Sequence, residues 1–175
     1  LYPEEYIQFL THFHGDRDYF ECHEILEDYW KKIEPRNKQS IWVGLILLAV
    51  SQYHHRRGNF SGAQKTIEKA INIFQHQGHL VSKLGLNEKA LIDILKNRLQ
   101  SIEKGRKYIS FDLPIIDPHL MNLCEIACAR NGFVWGKESD LNNIHLIHRH
   151  QLRDRTNVIK ERNRAIKAKR DSENN

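Results

Sequence analysis

The chain has little of what several functional classes require. It holds three cysteines, Cys22, Cys124 and Cys128, an odd number, and each sits inside an apolar helical pattern. That argues against a disulfide framework and for reduced core thiols in a cytoplasmic protein. Cys124 and Cys128 are four residues apart, but without a nearby histidine or a second cysteine pair they make no zinc site. There is no nucleophile elbow, no phosphate-cradling glycine loop and no dinucleotide fingerprint, so the enzyme classes built on those motifs are not supported. The longest unbroken apolar run lies within Ile41 to Val50, far short of the roughly 20 residues of a membrane span. No secretory signal pattern is visible either, and the expected location is the cytoplasm. Nothing alternates with a period of two for long enough to build a sheet. The four prolines, Pro3, Pro35, Pro114 and Pro118, punctuate segments rather than interrupt them, so the expected fold class is all-α.

What is present is enough for one core. A length of 175 residues suits a single domain with an appendage. The mean hydropathy of −0.63 implies a large solvated fraction, and it is unevenly distributed. Residues 149–170 carry nine Lys or Arg against Asp154 and Glu161, whereas residues 1–148 carry equal numbers of basic and acidic residues. The formal charge of +5 therefore belongs to the C-terminal tail. We expect a helical bundle over 1–132 and a basic tail over 133–175, partly helical or disordered.

The centre of the bundle is expected at Ile41 to Arg57. Between Ile41 and Tyr53 only Gly44, Ser51 and Gln52 are not apolar, which predicts a helix buried on every side. Before it, Tyr6, Phe9, Leu10 and Phe13 follow Pro3 at helical spacing. A second helix runs to about Ile33, with Asp16 as its expected cap. After it, Gly58 or Asn59 ends the central helix and Ser61 is the expected cap of the next, whose apolar positions are Ala63, Ile67, Ala70, Ile71 and Phe74. Gly58, Phe60, Ala63 and Ala70 make this hairpin resemble one tetratricopeptide repeat. No second copy follows at the required period of about 34 residues, so the resemblance is one of hairpin geometry. Gly78 and Gly85 are expected to bracket a loop, and Leu91, Ile92, Leu95, Leu99 and Ile102 mark another helix, closed by Gly105. Residues 107–118 hold two prolines and read as an extended strap. Asp117-Pro118 then opens a helix that Asn131-Gly132 stops.

One constellation has the residue types of a reactive site. If the second helix packs antiparallel to the central one, His23, Glu27 and His54 converge, and such a set can hold a divalent transition metal. Glu24 is then the candidate catalytic base toward a metal-bound water. The zincin pattern HExxH is not met, because Glu27 stands where its second histidine belongs. The alternative is a structural polar network in which Glu27, Tyr19 or Tyr53 satisfies His23, with Trp30 beside it. In the tail, Arg149, Arg153, Arg155, Lys160, Arg162, Arg164 and Lys167 form a basic surface suited to an acidic protein or to nucleic acid, although no Tyr or Trp follows Trp135 to stack on bases. Three readings stay open: a non-enzymatic scaffold or interaction module, a metal-dependent hydrolase or oxidoreductase, and nucleic-acid binding through the tail. Homo-oligomerisation is left undecided.

Two stretches together resemble the bacterial and archaeal family called domain of unknown function 309. The first is Tyr19, His23-Glu24, Glu27 and Trp30; the second is Gly44-Leu45-Ile46, Tyr53-His54, Gly58-Asn59 and Gly62-Ala63. The resemblance covers about residues 5–105, and more loosely the strap, and leaves the tail outside. It implies an all-helical bundle and no particular activity. Where the family often has Gln after Gly-Leu-Ile, this chain has Leu47, seven residues before His54 on the same helix face.

Overall fold

The computed structural model describes residues 1–152 and 156–173. Its helices are α1 (Glu4–His14), α2 (Tyr19–Ile33), α3 (Ile41–Arg56), α4 (Phe60–His76), α5 (Gly78–Lys83), α6 (Glu88–Glu103), α7 (Pro118–Arg130), α8 (Ile144–Ile147), α9 (Arg149–Leu152) and α10 (Thr156–Glu173). Among the described residues there is no strand, only an isolated antiparallel bridge between Leu86 and Ile115. The all-α expectation holds.

α3 is the hub. It packs on α2 and on α4, α1 packs on α2 and α7, and α4 packs in turn on α6. Gly58 takes the left-handed conformation, φ 78°, and reverses the chain so that α3 and α4 form the expected tight hairpin. Gly44 makes the close approach of these helices feasible. A Cβ there would lie 2.9 Å from Phe74 Cε1 and 3.1 Å from Ile73 Cγ2. Gly44→Ala is therefore expected to lower stability by about 1–3 kcal/mol through overpacking, read as a shift in the urea midpoint; an unchanged midpoint would show that the hairpin yields freely.

Two caps differ from expectation. α2 is capped by Asp18, which accepts from Glu21 N, because Arg17 at φ 56° lengthens the turn. Asp16 instead accepts from Asp18 N at 3.2 Å. α4 is capped by Asn59, which accepts from Gly62 N, because the reversal at Gly58 leaves Ser61 already inside the first turn. The Gly78–Gly85 stretch, expected as a loop, holds the short helix α5 with Val81 fully buried, a segment too brief to show a period in sequence.

The strap is extended as expected and buries Tyr108 and Leu113. The chain stays packed beyond Gly132: Trp135 stacks on His14 with ring centroids 4.2 Å apart, and Leu146 and Ile147 are buried. Residues 133–150, expected as the start of a tail, thus close one end of the bundle.

Candidate functional site

α3 does not follow the expectation of burial on every side. Its side chains are buried except Val43, Leu47, Val50 and His54, which recur at intervals of four, three and four. They form one stripe of the helix. The first three, with Ile46 and Ile73, make the apolar floor of an open groove of about 880 Å³ between α2 and α4. His23, Glu27 and Trp30 stand on its α2 wall. Of the residues that gave the family resemblance, His23, Glu27, Trp30 and Ile46 line this groove.

On that wall the side chains form a ladder at helical spacing. His23 Nε2 donates to Glu27 at 2.7 Å and Lys31 Nζ donates to its other oxygen at 2.8 Å. The bond from His23, followed by the bond from Lys31, pulls the Glu27 carboxyl down to about 2, so it is an anion with both oxygens engaged. Such a group is a poor base. Glu24 lies 3.6 Å from His23 Nδ1, on the other side of the ring. Trp30 Nε1 donates to Asn37 O at 3.0 Å, which ties the end of α2 to the loop that leads into α3.

His54 does not join His23 and Glu27. It lies seven residues, about 10 Å of helix axis, beyond Leu47, and its Nδ1 accepts from Arg57 at 3.0 Å and from Asn59 at 3.2 Å. Burial, then the charge of Arg57 and of His150, lowers its pKa, as suits a neutral acceptor. Tyr53 hydroxyl bonds His150 and Tyr19 hydroxyl bonds Tyr108, so neither serves His23. Among the described residues one set of three metal-ligand side chains has its ligand atoms within 4.8 Å of one another, and it is His12, Asp16 and Asp18. These atoms already have protein partners: His12 Nδ1 bonds Asp16 at 3.0 Å, and Asp18 caps α2 and pairs with Arg149. They hold the α1–α2 turn.

The rest of the candidate surface is basic. Arg149 is spent on Asp18, and Arg153 and Arg155 lie outside the described residues. Lys160, Arg162, Arg164 and Lys167 are exposed on α10, where every side chain from Ile159 to Glu173 is exposed. The groove has its own positive edge, which the sequence reading missed: Lys65 and Lys69 on α4, and Lys38 before α3.

Fold and site together define an all-α bundle with an apolar groove along its central helix. The family described as "Domain of unknown function (DUF309)" matches over residues 6–66, which spans α1 to the start of α4. The chain is also 45% identical over 172 residues to "Uncharacterized protein YpuF" of Bacillus subtilis (strain 168), covering 98% of this chain and 99% of that protein. The chain belongs to the DUF309 family. No solved structure matches it.

Proposed function

We propose that the protein is a non-enzymatic interaction module that receives a segment of a partner protein in the α2–α3–α4 groove, with α10 as an accessory basic arm. The open stripe on α3 carries this reading. Full burial of a Val or Leu side chain stabilises by about 1.5–3 kcal/mol, and Val43, Leu47 and Val50, at the centre of the bundle, forgo part of it. A part-exposed apolar strip with a charged rim suits a small docking site. The three buried free thiols support a reducing compartment and hence the cytoplasm; among the described residues no helix is long and apolar enough to cross a membrane. The metal-dependent reading is weaker, because His23 and Glu27 lack His54 as a third ligand and Glu27 is held by Lys31.

Affinity capture with the tagged full chain beside its Leu47→Glu and Val50→Glu variants tests this. The wild type is expected to retain a defined partner in near-equal amount that both variants lose while their circular dichroism and melting stay unchanged. Identical proteins on all three baits, or none on the wild type, overturn the reading. Elemental analysis of the same preparations separates the enzymatic alternative: a near-stoichiometric transition metal that disappears in His23→Ala would replace the interaction module with a metal site.

A further inference from the structure

Resting on that reading of the groove, we infer that its occupant is an amphipathic α-helix of a partner protein with an acidic flank. The floor sets the shape. Val43, Leu47 and Val50 span two turns of α3, about 10 Å, with spacings of four and three. A helix laid along such a stripe meets it with apolar anchors at the matching positions i, i+3 or i+4, and i+7. α2 and α4 supply the side walls and the top is open, a form suited to a chain segment.

The charge sets the sign. Glu27 is paired with Lys31, and the other carboxylate lining the groove is Glu68, which accepts from the Gln64 amide at 3.0 Å, a bond that brings no positive charge. Lys38, Lys65 and Lys69 have no ion pair among the described residues. Lys65 and Lys69 are one turn apart on α4. Lys38 stands near the other end of that helix, where the Gln39 carbonyl accepts from Gln77 at 3.2 Å. Three lysines against Glu68, with Glu27 paired to Lys31, leave the groove a positive excess beside its apolar floor. α10 carries Lys160, Arg162, Arg164, Lys167, Lys169 and Arg170 against Glu161, Asp171 and Glu173; this basic excess disfavours α10 as the occupant, while its Glu161 lies close enough to Lys31 on α2 to add to that lysine's raised pKa.

Selection from a random peptide library displayed on phage against the full chain tests the inference. The expected result is enrichment of sequences with apolar residues three and four apart and Asp or Glu beside them. Synthetic copies should gain helical circular dichroism on binding, lose binding to Leu47→Glu, and bind the Lys65→Glu/Lys69→Glu double variant about ten-fold more weakly, as for rim charges acting together. Enriched sequences that need Leu47 but are basic, uncharged or extended overturn the acidic helix and leave the groove as the docking site. Sequences that bind Leu47→Glu equally well, or no enrichment, overturn both.

Discussion

Replacing His14 by glutamine is expected to flatten the acid sensitivity of the fold. His14 is fully buried; its Nδ1 donates to Leu10 O at 2.7 Å and its Nε2 accepts from Leu113 N at 2.9 Å. The second bond needs the neutral ring, since a protonated Nε2 cannot accept. Burial, the largest cause, lowers its pKa to about 4, against 6.5 for the exposed side chain. Between those values the unfolded chain binds the proton and the folded one does not, so stability is full above pH 6.5 and is lost as the pH falls toward 4. The full window is worth about 3 kcal/mol. The variant should be less stable at pH 7 by about 1–3 kcal/mol, because the buried bonds are made less well. Its deficit against wild type should shrink on going to pH 5. Urea titrations of both proteins at pH 7, 6 and 5 read the difference directly, and a deficit that does not change with pH would remove His14 as the source. Comparison with the variant is needed because His54 and His55, also lowered by burial first, act in the same direction.

Arg17→Met is expected to cost about 2–4 kcal/mol, because three backbone carbonyls lose a buried donor, whereas the exposed Asp112 carboxylate returns to water. This side chain is buried to 1% exposure and joins three segments distant in sequence. It donates to Phe13 O at 3.1 Å in α1, to Phe111 O at 2.7 Å in the strap and to Lys137 O at 2.9 Å beyond α7. Its remaining nitrogen pairs with Asp112 at 2.7 Å. Methionine fills much of the volume and satisfies none of these acceptors, and lysine cannot reproduce the planar fork that reaches all of them. Hydrogen exchange should locate the damage. Amides of residues 107–117 and 135–150 should lose protection before those of α3. A variant within about 0.5 kcal/mol of wild type, the range of ordinary surface changes, would mean that the corner is held by packing alone.

His14 and Arg17 also show where sequence reading stops. Both sit at the His14-Gly15-Asp16 punctuation between helices, yet beyond one local carbonyl each their partners lie 94 to 120 residues away. No local pattern encodes such a bond. The cap shift from Asp16 to Asp18 has the same origin: the left-handed turn at Arg17 is held by contacts from the strap and from Lys137. Within the candidate site, the His23–Glu27 pair was legible because both residues lie on one helix four apart. The separation of His54 was not, since it depends on which neighbour meets the end of α3, and Arg57 and Asn59 do so first.

By itself the sequence determined the helical class, the order of the main helices, the hairpin at Gly58 and the extended strap, because these rest on apolar period, caps and chain-reversing residues that act within a few positions. It also marked α3 as the centre. Only the tertiary structure decided that α3 has an open side. A helix apolar all round carries no preferred face, so its sequence cannot say which stripe its neighbours will leave uncovered. The positions of α2 and α4 make that choice, and they leave Val43, Leu47 and Val50 facing the groove.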